Sequence, residues 1–225
     1  MEDDSPIAGL TASVDIYCER IDPGFWAEPV NALTNLAFLL AAAFVWPRVR
    51  DRAMGRALAL ILAAIGIASG AFHTTGQVWA AIADSLSIAV FVLVYVFAAN
   101  RDFLRLGGLA LWGMTAAALP AIAGLATFVG AVPFLGSSAL YVGVWGLILL
   151  YGLGLWFRAP ATGRGLLIGA AILALSIGAR ATDLPLCGAW PLGTHFLWHI
   201  LNAIMLGWMI LVWHRHPVAG GRAAV

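Results

Sequence analysis

Five side chains could do chemistry in a chain that is 62% hydrophobic and 10% charged: Ser69, His73, Asp84, His195 and His199. Three fall in "SGAFHTTGQVWAAIADS" and two in "GTHFLWHILNA". Ser69 and His73 are four residues apart, as are His195 and His199, so on a helix each pair shares one face. Two imidazoles one turn apart can aim at a single ion. A third from another helix would leave the fourth tetrahedral position open, the pattern of a catalytic zinc site. Haem ligation and interhelical hydrogen bonding compete for the same H-x-x-x-H pair, and a lone histidine in a helix is more often a packed residue. An unpaired carboxylate in lipid is costly, so Asp84 points more strongly to function. Ser69 taken alone reads as a helix back-bonder or a small packing residue.

Apolar runs must position these residues. Runs of about twenty residues recur, each able to cross a hydrocarbon core roughly 30 Å thick. The expected spans are 29–46, 55–75, 79–99, 107–127, 136–157, 165–181 and 193–213, the first and sixth being short. Continuous rather than alternating apolar runs favour helices over a barrel. The fold expected is therefore an all-α membrane protein, a seven-transmembrane-helix bundle. It divides into an acidic leader (1–28), the helical domain (29–213) and a tail (214–225), with no internal repeat and loops too short for a second domain. On this plan Ser69, His73, Asp84, His195 and His199 come to one depth in one leaflet.

All twelve basic residues are arginine. Arg48, Arg50, Arg52, Arg56, Arg101, Arg105, Arg158, Arg164, Arg215 and Arg222 fall at one end of the spans, and Arg20 and Arg180 at the other. The positive-inside rule then puts the N-terminus outside and the C-terminus in the cytoplasm. "MEDDSP" lacks the basic start of a signal peptide, so the first span is expected to be retained. The Ala-, Gly- and Arg-rich composition suggests a bacterial inner membrane with the site near the periplasmic side. A net charge of +1 offers nothing to a nucleic acid, and the absence of lysine excludes a retinal Schiff base. His214 and His216 read as solvated interface residues. Seven of the eleven acidic residues lie in the first 28 positions. Taken alone they read either as solvated charge or as hard oxygen ligands for calcium, without the EF-hand spacing. Cys18 and Cys187, the two cysteines, both fall on the outer, oxidising side, where disulfides persist.

S-x-x-x-H, an Asp eleven residues after that His, and H-x-x-x-H in the last span together resemble the alkaline ceramidase family. That family belongs to a hydrolase superfamily that includes the progestin and adipoQ receptors. "YCERIDPGFWAEPVNALTN" is similar to the family's W-C-E segment followed by A-E-F-W-N. The resemblance runs through the first, second, third and last spans. It implies zinc on His73, His195 and His199, Asp84 as the proton-transfer group and Ser69 as a stabiliser of the developing oxyanion. It implies hydrolysis of a ceramide-like membrane lipid that enters from the bilayer. It also implies a Cys18–Cys187 disulfide and calcium held by Asp15, Glu19, Asp22, Glu28 and the main-chain carbonyl of Tyr17. Ile16 stands where the family carries Asp and Ile21 where it carries Asn, so Asp15 and Asp22 would substitute from neighbouring positions. The alternatives are a seven-helix receptor that keeps the zinc site without turnover, and a haem-binding electron carrier.

Overall fold

The computed structural model describes residues 9–132 and 135–217. Met1 to Ala8, the two residues at 133–134 and the segment 218–225 lie outside them, including the "MEDDSP" start, Arg222 and most of the expected tail. Eight helices follow in order: α1 (Pro29–Thr34), α2 (Leu36–Val49), α3 (Ala53–Thr75), α4 (Val78–Asp102), α5 (Gly108–Gly130), α6 (Ala139–Gly154), α7 (Pro160–Leu186) and α8 (His195–Arg215). The first two form one span, Pro29–Val49, and a 3-10 turn at Gly136–Ser138 leads into α6. Seven spans are thus long and apolar enough to cross a membrane. No strand occurs among the described residues beyond an isolated Ser13–Gln77 bridge.

Each span packs on the next, and α8 closes the ring on α2. The seventh span is also the inner one: 67% of its apolar window is buried, against 22–44% for the others. Trp198, Met205, Met209, Ile210 and Trp213 fill the middle of the bundle from it. Lipid tails are as apolar as these side chains, so packing between helices rather than escape from water holds such a ring together.

Expected and observed span ends agree within about three residues except in the sixth span. That span runs from Pro160 to Leu186 and is the longest rather than a short one. Pro160 sits at the start of the helix, where a missing N–H costs nothing. The helix continues past Arg180 and Asp183 because both charges find partners. The Arg180 guanidinium lies 5.8 Å from the Tyr17 ring, 5.3 Å from Tyr141 and 5.7 Å from Trp198, and also donates to the Ser137 carbonyl. At the opposite end, His216 is not a solvated residue. It is buried, and its Nδ1 meets the Thr162 hydroxyl at 2.8 Å.

The leader is tied across one mouth of the bundle. Val14 N–H donates to the Gly76 carbonyl at 2.7 Å and Val78 N–H to the Ala12 carbonyl at 3.1 Å. Gly76 adopts φ 59°, ending α3 in the left-handed region that favours glycine. The Cys18–Cys187 disulfide is present, with Cα atoms 5.4 Å apart. It joins the leader to the segment that enters α8.

Candidate metal centre and active site

His73 lies in the last turn of α3, and Ser69 one turn before it. His195 opens α8 and His199 follows one turn later. Asp183, from the end of α7, fixes that opening. Its Oδ1 accepts hydrogen bonds from the N–H groups of Thr194 at 2.7 Å and His195 at 2.9 Å, and its Oδ2 accepts from Cys18 N–H at 2.9 Å. One buried carboxylate thus caps the helix that bears two histidines and holds the leader against it.

The three histidines are each 1% exposed, and one ligand atom from each lies within 4.8 Å of the others. Among the described residues this is the cluster of metal-ligand side chains that converges. Their tautomers follow from their partners. His73 Nδ1 meets Glu28 Oε2 at 2.6 Å, and an ionised carboxylate only accepts, so Nδ1 carries the proton. His199 Nδ1 meets Thr34 Oγ1 at 3.0 Å; that hydroxyl already donates to the main chain of α1, so it accepts from His199. In neutral rings both Nε2 atoms are then lone pairs, and they face each other at 3.1 Å. Two lone pairs at that distance repel unless a cation lies between them. His195 Nδ1 is buried with no hydrogen-bond partner. Three nitrogen donors, two of them held by outer partners, form a set that suits zinc.

Glu28 lies just outside the first span. Burial would raise its pKa, yet hydrogen bonds and charge from His73, with further bonds from Arg20 and Asn31, hold the carboxyl below the ordinary range. It is therefore ionised against His73. The Tyr17 ring stacks on His195 with centroids 3.6 Å apart. Burial pushes its phenol well above the usual range, even with Arg180 nearby to lower it, so a neutral ring covers that imidazole.

Ser69 and Asp84 line a cavity of about 50 Å³ with Phe38, Ile65, Tyr141 and Trp198. Asp84 Oδ1 is buried without a hydrogen-bond partner. A second cavity of about 50 Å³, lined by apolar atoms and sharing Val92, Val144, Met205 and Leu206 with the first, extends towards Ala99 and Phe103.

The calcium expectation finds no support in the structure. Asp15 and Asp22 are exposed, and the Asp22 carboxylate accepts from Gly24 N–H. Both Glu19 oxygens take main-chain donors of α1, Val30 N–H at 2.7 Å and Asn31 N–H at 2.8 Å. Both Glu28 oxygens are engaged by Arg20, His73 and Asn31. Glu19 and Glu28 are thus held by protein donors, and the Tyr17 carbonyl accepts from Arg20 N–H at 3.3 Å. Sequence reasoning missed Asp183, Thr34 and the link from Glu28 to His73. Asp183 carried a signal, since it is a carboxylate in an apolar span as Asp84 is. Thr34 carried none.

Fold and site define an integral membrane protein of seven helical spans with a buried three-histidine centre. The family model described as Ceramidase matches residues 11–160, more than half of the chain, and the chain belongs to that family. The match includes Ser69, His73 and Asp84 and ends before the two spans that carry Asp183, His195 and His199. No curated protein matches the chain in the comparison made. Family membership supports hydrolysis of an amide bond in ceramide-type lipids as the general activity.

Proposed function

We propose that the protein is a zinc-dependent intramembrane amidase that cleaves ceramide-like N-acyl sphingoid lipids to a sphingoid base and a fatty acid. The observation that carries the zinc reading is the pair of facing Nε2 lone pairs of His73 and His199, with His195 beside them. His73, His195 and His199 would hold the ion. When bound, it supplies Lewis-acid chemistry, acidifying a water and polarising the amide carbonyl. Asp84 accepts the proton of the attacking water and returns it to the leaving amine nitrogen. Ser69, which lines the same cavity as Asp84, offers its hydroxyl to the oxygen that becomes negative.

Substrate reaches the site from the bilayer, its apolar chain lying along the apolar side chains beside Asp84. The arginine distribution supports a cytoplasmic C-terminus and a site near the outer, periplasmic side of a bacterial inner membrane. A haem reading loses its footing, because imidazole centroids 4.6, 4.7 and 5.1 Å apart leave no slot for a flat macrocycle. The test is metal analysis of the purified protein together with turnover of a labelled ceramide. About one zinc per chain with release of labelled fatty acid is expected. Zinc without turnover would return the protein to a receptor that keeps the site.

A further inference from the structure

The leader contains a buried cation of its own. Arg20 is 4% exposed. Its Nε donates to Glu28 Oε1 at 2.5 Å, its Nη1 to the carbonyls of Asp22 at 3.2 Å and Gly24 at 3.3 Å, and its Nη2 to the carbonyl of His73 at 3.3 Å. One carboxylate and three main-chain carbonyls are the hard oxygen donors that a loop would otherwise give to calcium. Here they all accept from one guanidinium. The site is shaped for it: a Cβ at Gly76 would stand 2.5 Å from the Arg20 Cζ, so the end of α3 leaves room for this side chain.

We propose that Arg20 is a positioning residue, a built-in cation that takes the place of a bound calcium ion by neutralising Glu28 and holding it on His73. Arg20 occupies Glu28 Oε1, which leaves Oε2 facing His73 Nδ1 at 2.6 Å, with Asn31 Nδ2 donating to the same oxygen at 3.1 Å. That fixes the His73 ring and leaves Nε2 free for a metal, as outer partners do at metal centres. The chain Arg20–Glu28–His73 thus joins the leader to the histidine cluster through 2.5 Å and 2.6 Å contacts. The zinc consequence rests on the proposed function; the replacement of calcium does not.

The test uses full-length protein purified without calcium and has three arms. Adding calcium to about 1 mM, the weak end of protein calcium sites, leaves the melting temperature unchanged; a rise of several degrees overturns the replacement. Arg20→Gln weakens zinc binding about 10- to 100-fold, read by competition with a chromogenic chelator, and Arg20→Lys recovers part of the loss. Unchanged zinc affinity in a folded Arg20→Gln protein overturns the positioning role. The third arm is a melting cycle on metal-free protein. Arg20→Gln alone, which strands a buried carboxylate, melts below the Arg20→Gln, Glu28→Gln double variant, which strands none. A double variant that melts lower than the single one overturns the pairing, and this holds even where Arg20→Gln folds poorly. Wild-type protein that binds no zinc sinks the proposed function, and the calcium and melting arms then decide this inference by themselves.

Discussion

In the proposed function Asp84 and the histidines do different work, and substitution separates the two roles. Asp84 touches the cavity rather than the histidine cluster, so Asp84→Asn is expected to keep zinc yet lose most hydrolysis, because an amide cannot accept the proton of water. Parental turnover in that variant would reduce Asp84 to a structural role. Ser69→Ala should cost on the order of 10- to 1000-fold in kcat, the range for one oxyanion donor. The spacing of these residues was legible in the sequence because helical periodicity is local. The partners were not, because they come from far along the chain. Glu28 reaches His73 across 45 residues and Thr34 reaches His199 across 165. An acidic leader looks the same in sequence whether its carboxylates meet a metal, an arginine or main-chain amides; only the fold chose among them.

At the scale of elements, the opening of α8 is the joint on which the site depends. Asp183 caps it from α7, and the disulfide holds Cys18 beside it. Asp183→Ala would leave two main-chain donors of α8 and one of the leader without a buried acceptor, each costing about 1–3 kcal/mol. The expected outcome is a melting temperature lower by many degrees and zinc lost more readily than from wild type, measured by thermal scan and metal retention on dialysis. Stability and retention like those of wild type would remove Asp183 from the joint. The seven apolar runs were legible because each stretch answers to lipid alone. The sixth was read too short because Arg180 and Asp183 look like the end of a span. In the fold they lie inside it, one against aromatic rings and the other on helix amides.

At the scale of the molecule, the ring of helices separates two unlike ends. One carries the leader, the disulfide, Arg180 and the histidine centre. The other carries Arg48, Arg50, Arg52, Arg56, Arg101, Arg105, Arg158 and Arg215 on the connections between spans or just inside the span ends. That asymmetry is the whole basis for sidedness, and it makes a definite expectation under the positive-inside rule. Asp22 is exposed at the leader end and Arg105 at the arginine-rich end. Cys18 and Cys187 are bonded to each other, so the chain offers no free thiol. Single cysteines placed as Asp22→Cys or Arg105→Cys would therefore report their own side. In intact bacterial cells an impermeant maleimide should label Asp22→Cys and spare Arg105→Cys until the membrane is permeabilised. Labelling of Arg105→Cys alone would turn the bundle over, placing the histidine centre on the cytoplasmic side and its disulfide in a reducing compartment, where such bonds rarely persist.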